Sequence, residues 1–199
     1  MRPDLDVIAG FVPQGSRVLD LGCGDGSLLE HLIRQRGCEG HGVEISGERF
    51  LACVARGVPV LQGDIDLGLP DFEDDSFDAV VLSQTLQATR RPRFVLREMM
   101  RVGRLGIVSF PNFGHWRLRA DLLLRGRMPR SGTLPHSWHE TPNIHLCTTR
   151  DFEDLAREER LRVLRRVALD RDGSGVSPRA ARRPNLLASG ALYLLERPA

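Results

Sequence analysis

The stretch Arg17-Val18-Leu19-Asp20-Leu21-Gly22-Cys23-Gly24-Asp25-Gly26, running straight into Ser27-Leu28-Leu29-Glu30-His31-Leu32-Ile33, decides how the rest of the chain folds. Val18, Leu19 and Leu21 are apolar and partly β-branched, as a buried strand requires, and Ser27 to Ile33 carries leucines and an isoleucine at helical spacing. Between them Gly22, Gly24 and Gly26 alternate, so the backbone can take positive φ and approach a ligand with no Cβ in the way. A strand, a glycine turn and a helix in this order bind nucleotide-like cofactors. A tight turn without a ligand has the same letters, so the neighbouring sequence must discriminate.

Two cofactor classes compete for the turn. A dinucleotide fingerprint needs a third glycine where this chain has Ser27. A pyrophosphate is anionic and favours a helix N-terminus free of acids, whereas Asp20 and Asp25 bracket this one. Carboxylates suit a cation instead. S-adenosylmethionine carries an ammonium and a sulfonium and no phosphate, so Asp20 can meet its amine directly or through water. The run Asp20-Leu21-Gly22-Cys23-Gly24-Asp25-Gly26 resembles the first motif of class I S-adenosylmethionine-dependent methyltransferases.

The later strand ends extend the pattern. Gly40 to Ser46 reads as a second strand ending in Glu44, about 20 residues past the glycine turn, the spacing of a ribose-binding acid. Glu44 can accept both ribose hydroxyls, and Ile45 beside it joins the cofactor-binding candidates; a surface acid at a strand end is the alternative. Val58 to Leu61 is the third strand, followed by Asp64 and Ile65. In the methyltransferase class an acid and an apolar neighbour here hold the adenine, while a helix cap or a solvated loop would read alike. Ala79 to Leu82 is a continuous apolar run suited to the central strand, and Ser83 to Leu86 beyond it is expected on the sulfonium side of the pocket. The Asn/Asp-Pro-Pro-aromatic motif used on planar amines is absent, which counts against methylation of nucleic acid bases or glutamine.

Composition sets the bounds. At 199 residues, 41% hydrophobic and 27% charged, the chain is sized for one globular domain spanning 1–199. All 28 basic residues are arginine, which reads as base composition of the genome, and a net charge of +2 gives no support to a nucleic-acid partner. No apolar run approaches the ~20 residues of a membrane span, and the first residues lack a signal-peptide pattern. Cys23, Cys38, Cys53 and Cys147 form no C-x-x-C pair, so a reducing cytoplasm is the expected compartment.

Helices are expected over Asp4 to Phe11, Ser27 to Gln35, Glu48 to Arg56, with Phe50, Leu51, Cys53 and Val54 inward, and Arg93 to Val102. Leu105 to Phe110 is the fifth strand of an alternating β-α series, which predicts a parallel sheet. Asp151 to Arg160 is a helix, and Leu161 to Leu169 and Leu192 to Leu195 are two closing strands. The fold class is therefore α/β, a Rossmann-like class I methyltransferase fold. Its sheet has seven strands, mostly parallel with an antiparallel last strand, and helices on both faces. With one short helix ahead of the first strand, the pocket is expected to be open.

Two segments depart from this scaffold. Residues 111–149 form a long connection with both tryptophans and four of the six histidines, and long connections are usually functional. Within it His115 to Arg125 reads as a helix offering Trp116, Leu118 and Leu122 to Leu124, either packed on its own sheet or serving as a lid or docking surface. His136, His139, His145 and Cys147 are zinc-type ligands at spacings poor for a closed site, so no metal is expected, and His145 is read as structural rather than as a base. Residues 170–184 hold glycines, prolines and arginines with little to bury and are expected to be a mobile loop.

Longer matches narrow the resemblance to a family. Ser83 to Arg90, Val108 to Arg117, Leu124 to Pro129 and Thr141 to Cys147 look like the methionine biosynthesis protein MetW family, over nearly all of Val18 to Arg197 except Arg171 to Asn185. The resemblance implies a protein of methionine biosynthesis that acts with and supports a homoserine O-acyltransferase. The cofactor set is then Asp20, Gly22, Cys23, Gly24, Gly26, Glu44, Ile45, Asp64, Ile65 and Ser83, holding S-adenosylmethionine or S-adenosylhomocysteine. The alternative is a methyltransferase acting on a small molecule. No residue of the chain identifies a catalytic group, and the oligomeric state is left open.

Overall fold

A computed structural model describes residues 3–170 and 178–198. The strands and α-helices of the first half are α1 (Pro3–Phe11), β1 (Arg17–Leu21), α2 (Ser27–Arg36), β2 (Glu39–Glu44), α3 (Gly47–Ala55), β3 (Val60–Gln62), β4 (Phe77–Ser83), α4 (Pro92–Val102) and β5 (Gly103–Pro111). The second half adds α5 (Trp116–Arg125), α6 (Thr149–Glu158), β6 (Arg162–Leu169), α7 (Pro178–Arg182), α8 (Pro184–Leu187) and β7 (Gly190–Glu196).

One sheet in the order β3-β2-β1-β4-β5-β7-β6 joins all seven strands. The first five run parallel, and β7 pairs antiparallel with both β5 and β6. This is the Rossmann-like methyltransferase fold. Strand order reverses between β1 and β4, and open parallel sheets bind ligands beyond the carboxyl ends of the strands at such a switch point.

The two faces of the sheet are built by strict alternation. Val18, Ala79, Val81, Ile107 and Leu192 join the core under α1, α2 and α3, while Leu19, Val80, Leu82, Val108, Phe110 and Tyr193 join the core under α4 and α6. Successive strand side chains point to opposite faces, so near-continuous apolar runs supply both cores at once. Phe110, Phe152 and Tyr193 pack as a ring cluster with centroids 4.7–5.8 Å apart.

Three expectations change here. Leu51 and Val54 of α3 lie exposed and Cys53 alone of that helix is buried, because β3 is a three-residue edge strand that offers little sheet to cover. Helix α6 starts at Thr149 because Thr148 and Asp151 close a reciprocal capping box. Of the expected loop over 170–184, residues 171–177 lie outside the described residues, but 178–182 is helix and Ala180 is buried against Ala168 and Ala188, so this part does find a core.

The 111–149 connection is tied down at both ends. Asn112, fully buried, donates through Nδ2 to the carbonyls of Pro184, Asn185 and Ala188, while its Oδ1 accepts from Gly114 N and Thr149 N. The Gln87 carbonyl accepts from both Ile144 N and His145 N, which fixes the connection over the turn that follows β4. Among the described residues no group of three or more His, Cys, Asp or Glu comes together to hold a metal, and no helix is long and apolar enough to cross a membrane.

Candidate functional site

The glycine turn has the geometry its sequence demands. Gly22, Gly24 and Gly26 take φ of 73°, 61° and 76°. A Cβ on Gly22 would sit 2.6 Å from Thr85 Cγ2 and one on Gly26 3.0 Å from Cys53 Sγ, whereas nothing lies within 4 Å of the Gly24 position. Gly22 and Gly26 let the loop pack on the segment after β4 and on α3; Gly24 leaves room on the cleft side.

The backbone donors of the turn are largely spent inside the protein. Gly22 N and Cys23 N both donate to Val43 O, Gly24 N to Glu44 Oε2 at 2.8 Å, Gly26 N to Cys23 O and Ser27 N to Asp25 Oδ1. A pyrophosphate site needs such groups pointing outward. The turn instead presents carboxylates. Asp20 is only 3% exposed and Glu44 only 4%, burial that acids tolerate when hydrogen-bonded. Glu44 accepts at both oxygens, the second from Ser46 N at 2.9 Å, and each oxygen keeps a further lone pair. The Cys23 thiol is pushed far above its ordinary range, first by burial and then by Asp20, Cys53 and Glu44.

A cleft of about 930 Å³ opens at the switch point. Asp20, Gly22, Cys23 and Gly24 line it from the turn, and Ser83, Gln84 and Thr85 from the end of β4. Ser83 Oγ and Ser109 Oγ lie 3.1 Å apart across β4 and β5, and Thr85 Oγ1 donates to Ser83 O. Gln84 holds φ of 56°, a left-handed conformation uncommon for a residue with a Cβ and frequent at functional sites.

The other expected residues lie apart from that lining. Gly26 is the left-handed N-cap of α2. Glu44 sits beneath the turn, and Ile45, 63% exposed, stands at the end of β2. Asp64 Oδ1 caps the short turn 65–67 by accepting from Asp66 N, and Ile65 is buried in the core with Leu19 and Leu21.

Sequence reasoning missed the remaining wall. Ser27, Glu30, His31, Arg34 and Gln35 of α2 line the cleft, together with Leu5 of α1, Arg49 of α3 and Arg56 at its C-cap. The polar α2 residues recur at i, i+3, i+4, i+7 and i+8, a face away from the buried Leu29 and Leu32, and that periodicity was the available signal. Arg56 bridges Asp25 at 2.7 Å and Glu30 at 2.9 Å, and Arg34 also meets Glu30, so this wall is a braced ion-pair network.

Known proteins resolve the family. The model of the family described as methionine biosynthesis protein MetW matches residues 2–195. The chain belongs to the MetW family. A bifunctional methionine biosynthesis protein MetXA/MetW from Rhodopirellula baltica is 39% identical over 207 residues, covering 99% of this MetW-family chain and 33% of the relative. A demethylmenaquinone methyltransferase from Corynebacterium efficiens is 35% identical over 157 residues, 72% of this chain and 65% of that protein. The chain thus spans about a third of the first relative's length and under two thirds of the second's. Among solved structures, the complex between the Haloferax volcanii Trm112 methyltransferase activator and a methyltransferase contains a chain matching with TM-score 0.72 at 19% identity, over 100% of this chain and 91% of that one. A SAM-dependent methyltransferase from Archaeoglobus fulgidus matches with TM-score 0.69 at 16% identity, over 98% and 92%. These structural likenesses establish the fold of this MetW-family protein.

Proposed function

We propose that this protein binds S-adenosylmethionine or S-adenosylhomocysteine at the glycine turn, and that it acts with and supports a homoserine O-acyltransferase in methionine biosynthesis. One observation carries the ligand: two buried carboxylates, Asp20 and Glu44, flank a glycine turn whose glycine N–H groups are bonded within the protein. That donor set suits a cationic nucleoside with a free diol and suits a phosphate poorly. Asp20 would hold the ammonium, Glu44 the ribose hydroxyls through its remaining lone pairs, and Ile45 with Asp64 the adenine. Ile65 would act from beneath, by shaping the loop. The bound group would supply an electrophilic methyl on a sulfonium. The residues at the end of β4, Ser83 to Thr85, would orient what approaches it.

The partner reading rests on the relative in which MetXA and MetW are joined in one chain. In a reducing cytoplasm the four free cysteines would stay as thiols. Linkage gives the partnership its test: a cofactor regulates a partner only if it binds the docked and free forms with different affinity. Calorimetric titration with S-adenosylmethionine and S-adenosylhomocysteine, repeated with the acyltransferase present, should show binding whose affinity shifts with the partner. Binding without a shift removes the coupling, and no binding of either ligand removes the cofactor.

A second reading, methyl transfer to a small molecule, is favoured by the likeness to a demethylmenaquinone methyltransferase. Catalysis would then come chiefly from proximity and orientation at Ser83 to Thr85.

A further inference from the structure

We propose a second ligand site, distinct from the glycine-turn cleft: the pocket between α5 and the turn at residues 130–134 binds a small oxyanion, the phosphate or carboxylate group of a metabolite-sized molecule. The pocket has a volume of about 320 Å³ and shares no lining residue with the cleft. That volume lies at the lower end for small-molecule sites, which fits an amino-acid-sized or phosphate-ester ligand rather than a nucleoside.

Its chemistry is the reverse of the cleft's. Arg117, Arg125 and Arg130 line it against a single carboxylate, Asp121, and Asp121 is matched by Arg125 at 3.0 Å. The guanidiniums of Arg117 and Arg130 therefore make a cationic excess. Both are positioned by neutral contacts: Arg117 lies over the Trp116 ring, 5.2 Å from its centre, and Arg130 Nε donates to Pro135 O at 3.1 Å. A guanidinium anchored at one donor still offers others in a planar fork, the geometry that grips carboxylate or phosphate.

Beside the exposed arginines the wall is a hydrogen-bonded turn. Ser131 N and Leu134 N each donate to the other residue's carbonyl, closing the turn, and Ser131 and Thr133, whose hydroxyls lie 3.1 Å apart, both line the pocket. Leu118 and Pro129 are buried in its floor. All but one of its lining residues come from the long 111–149 connection, the exception being Ser189. The connection is thus more than a cover for the sheet: it carries a cationic pocket of its own.

The test is an NMR titration at constant ionic strength with inorganic phosphate and, separately, malonate, following the amides of residues 130–133 and the Trp116 indole. Saturable shifts with one of these anions are expected, and the anion that saturates identifies phosphate or carboxylate as the group recognised. Arg130→Gln and Arg117→Gln should each weaken that binding about tenfold or more, the effect of losing a charge-assisted contact. Both arginines are exposed, so the variants should melt like the parent protein. Arg49→Gln, in the other cleft, should leave the anion affinity unchanged. Shifts that grow linearly with either anion, persist in Arg130→Gln, or vanish in Arg49→Gln would overturn the proposal.

Discussion

Glu44 Oε2 accepts the backbone N–H of Gly24 at 2.8 Å, so an acid at the end of β2 holds the glycine turn that follows β1. The same carboxylate accepts from Ser46 N, which links the turn to the start of α3. Glu44 is thereby a ligand candidate and a structural brace at once. Glu44→Ala should cost about 1–2 kcal/mol in urea unfolding, because two half-buried N–H groups lose a charged acceptor. It should also weaken S-adenosylhomocysteine binding. Asp20→Asn should weaken binding by a similar amount with a smaller loss of stability. Equal stability loss in both, with unchanged calorimetric affinity, would mean that neither acid meets the ligand.

The glycines separate strain from obstruction. Gly22→Ala combines positive φ with a Cβ at 2.6 Å from Thr85 and should destabilise by more than the roughly 1–2 kcal/mol of left-handed strain alone. Gly24→Ala meets nothing within 4 Å and should cost about that strain only. If the cofactor lies over Gly24, its affinity should fall further than stability does. A paired thermal-melt and titration series reads both quantities.

Asn112 is the knot of the second half. Its side chain bonds three carbonyls and two N–H groups from the β5 end, α6 and α8 in a fully buried setting. Asn112→Ala should lose about 2–4 kcal/mol, measured by urea unfolding. Hydrogen exchange should show the loss spreading to 184–188, with β1 and β2 protected as before.

Acid stability has a named contributor. Arg101 donates to both oxygens of Glu98 at 2.9 Å and Leu69 N adds a third bond, so Glu98 titrates below its ordinary range, chiefly through the Arg101 contact. A depressed carboxylate contributes stability above its unfolded pKa and loses it as pH falls through the folded one. Glu98→Gln should therefore cost about 1 kcal/mol near neutrality, and the difference from the parent should shrink in acid. Urea midpoints across a pH series would show a constant difference if the pair contributed nothing.

Leu123 and Leu124 are 83% and 81% exposed on α5, where Leu118 alone is buried. Packing on the protein's own sheet therefore does not account for them. Changing both to Asp should leave stability within about 0.5 kcal/mol. Loss of copurification with the acyltransferase would place docking on this helix, and unchanged copurification would move it elsewhere.

Cys147 carries a thiol pushed up to about 12 by burial and by Asp151. At neutral pH it should alkylate far more slowly than a free thiol, as followed by mass spectrometry. Rapid labelling would show that the connection around it opens.

Local patterns were enough to write down most of the scaffold. Alternation of apolar residues in β1, β4 and β5, the glycines at 22, 24 and 26, and acids at strand ends are each encoded within a few neighbouring residues. The β-α repeat calls for parallel strands, so the sequence by itself determined the parallel core and offered Asp20 and Glu44 as candidate acids, while the strand order and its switch point came from the structure. Contacts between distant segments decided the rest. That Gly24 N is spent on Glu44, that the polar face of α2 walls the cleft, that Leu51 and Val54 are left outside, and that arginines at 117 and 130 share one pocket all depend on how packed elements meet. A hydrogen bond or a cavity exists only where two separately encoded surfaces come within a few ångströms, and only the tertiary structure brings them there.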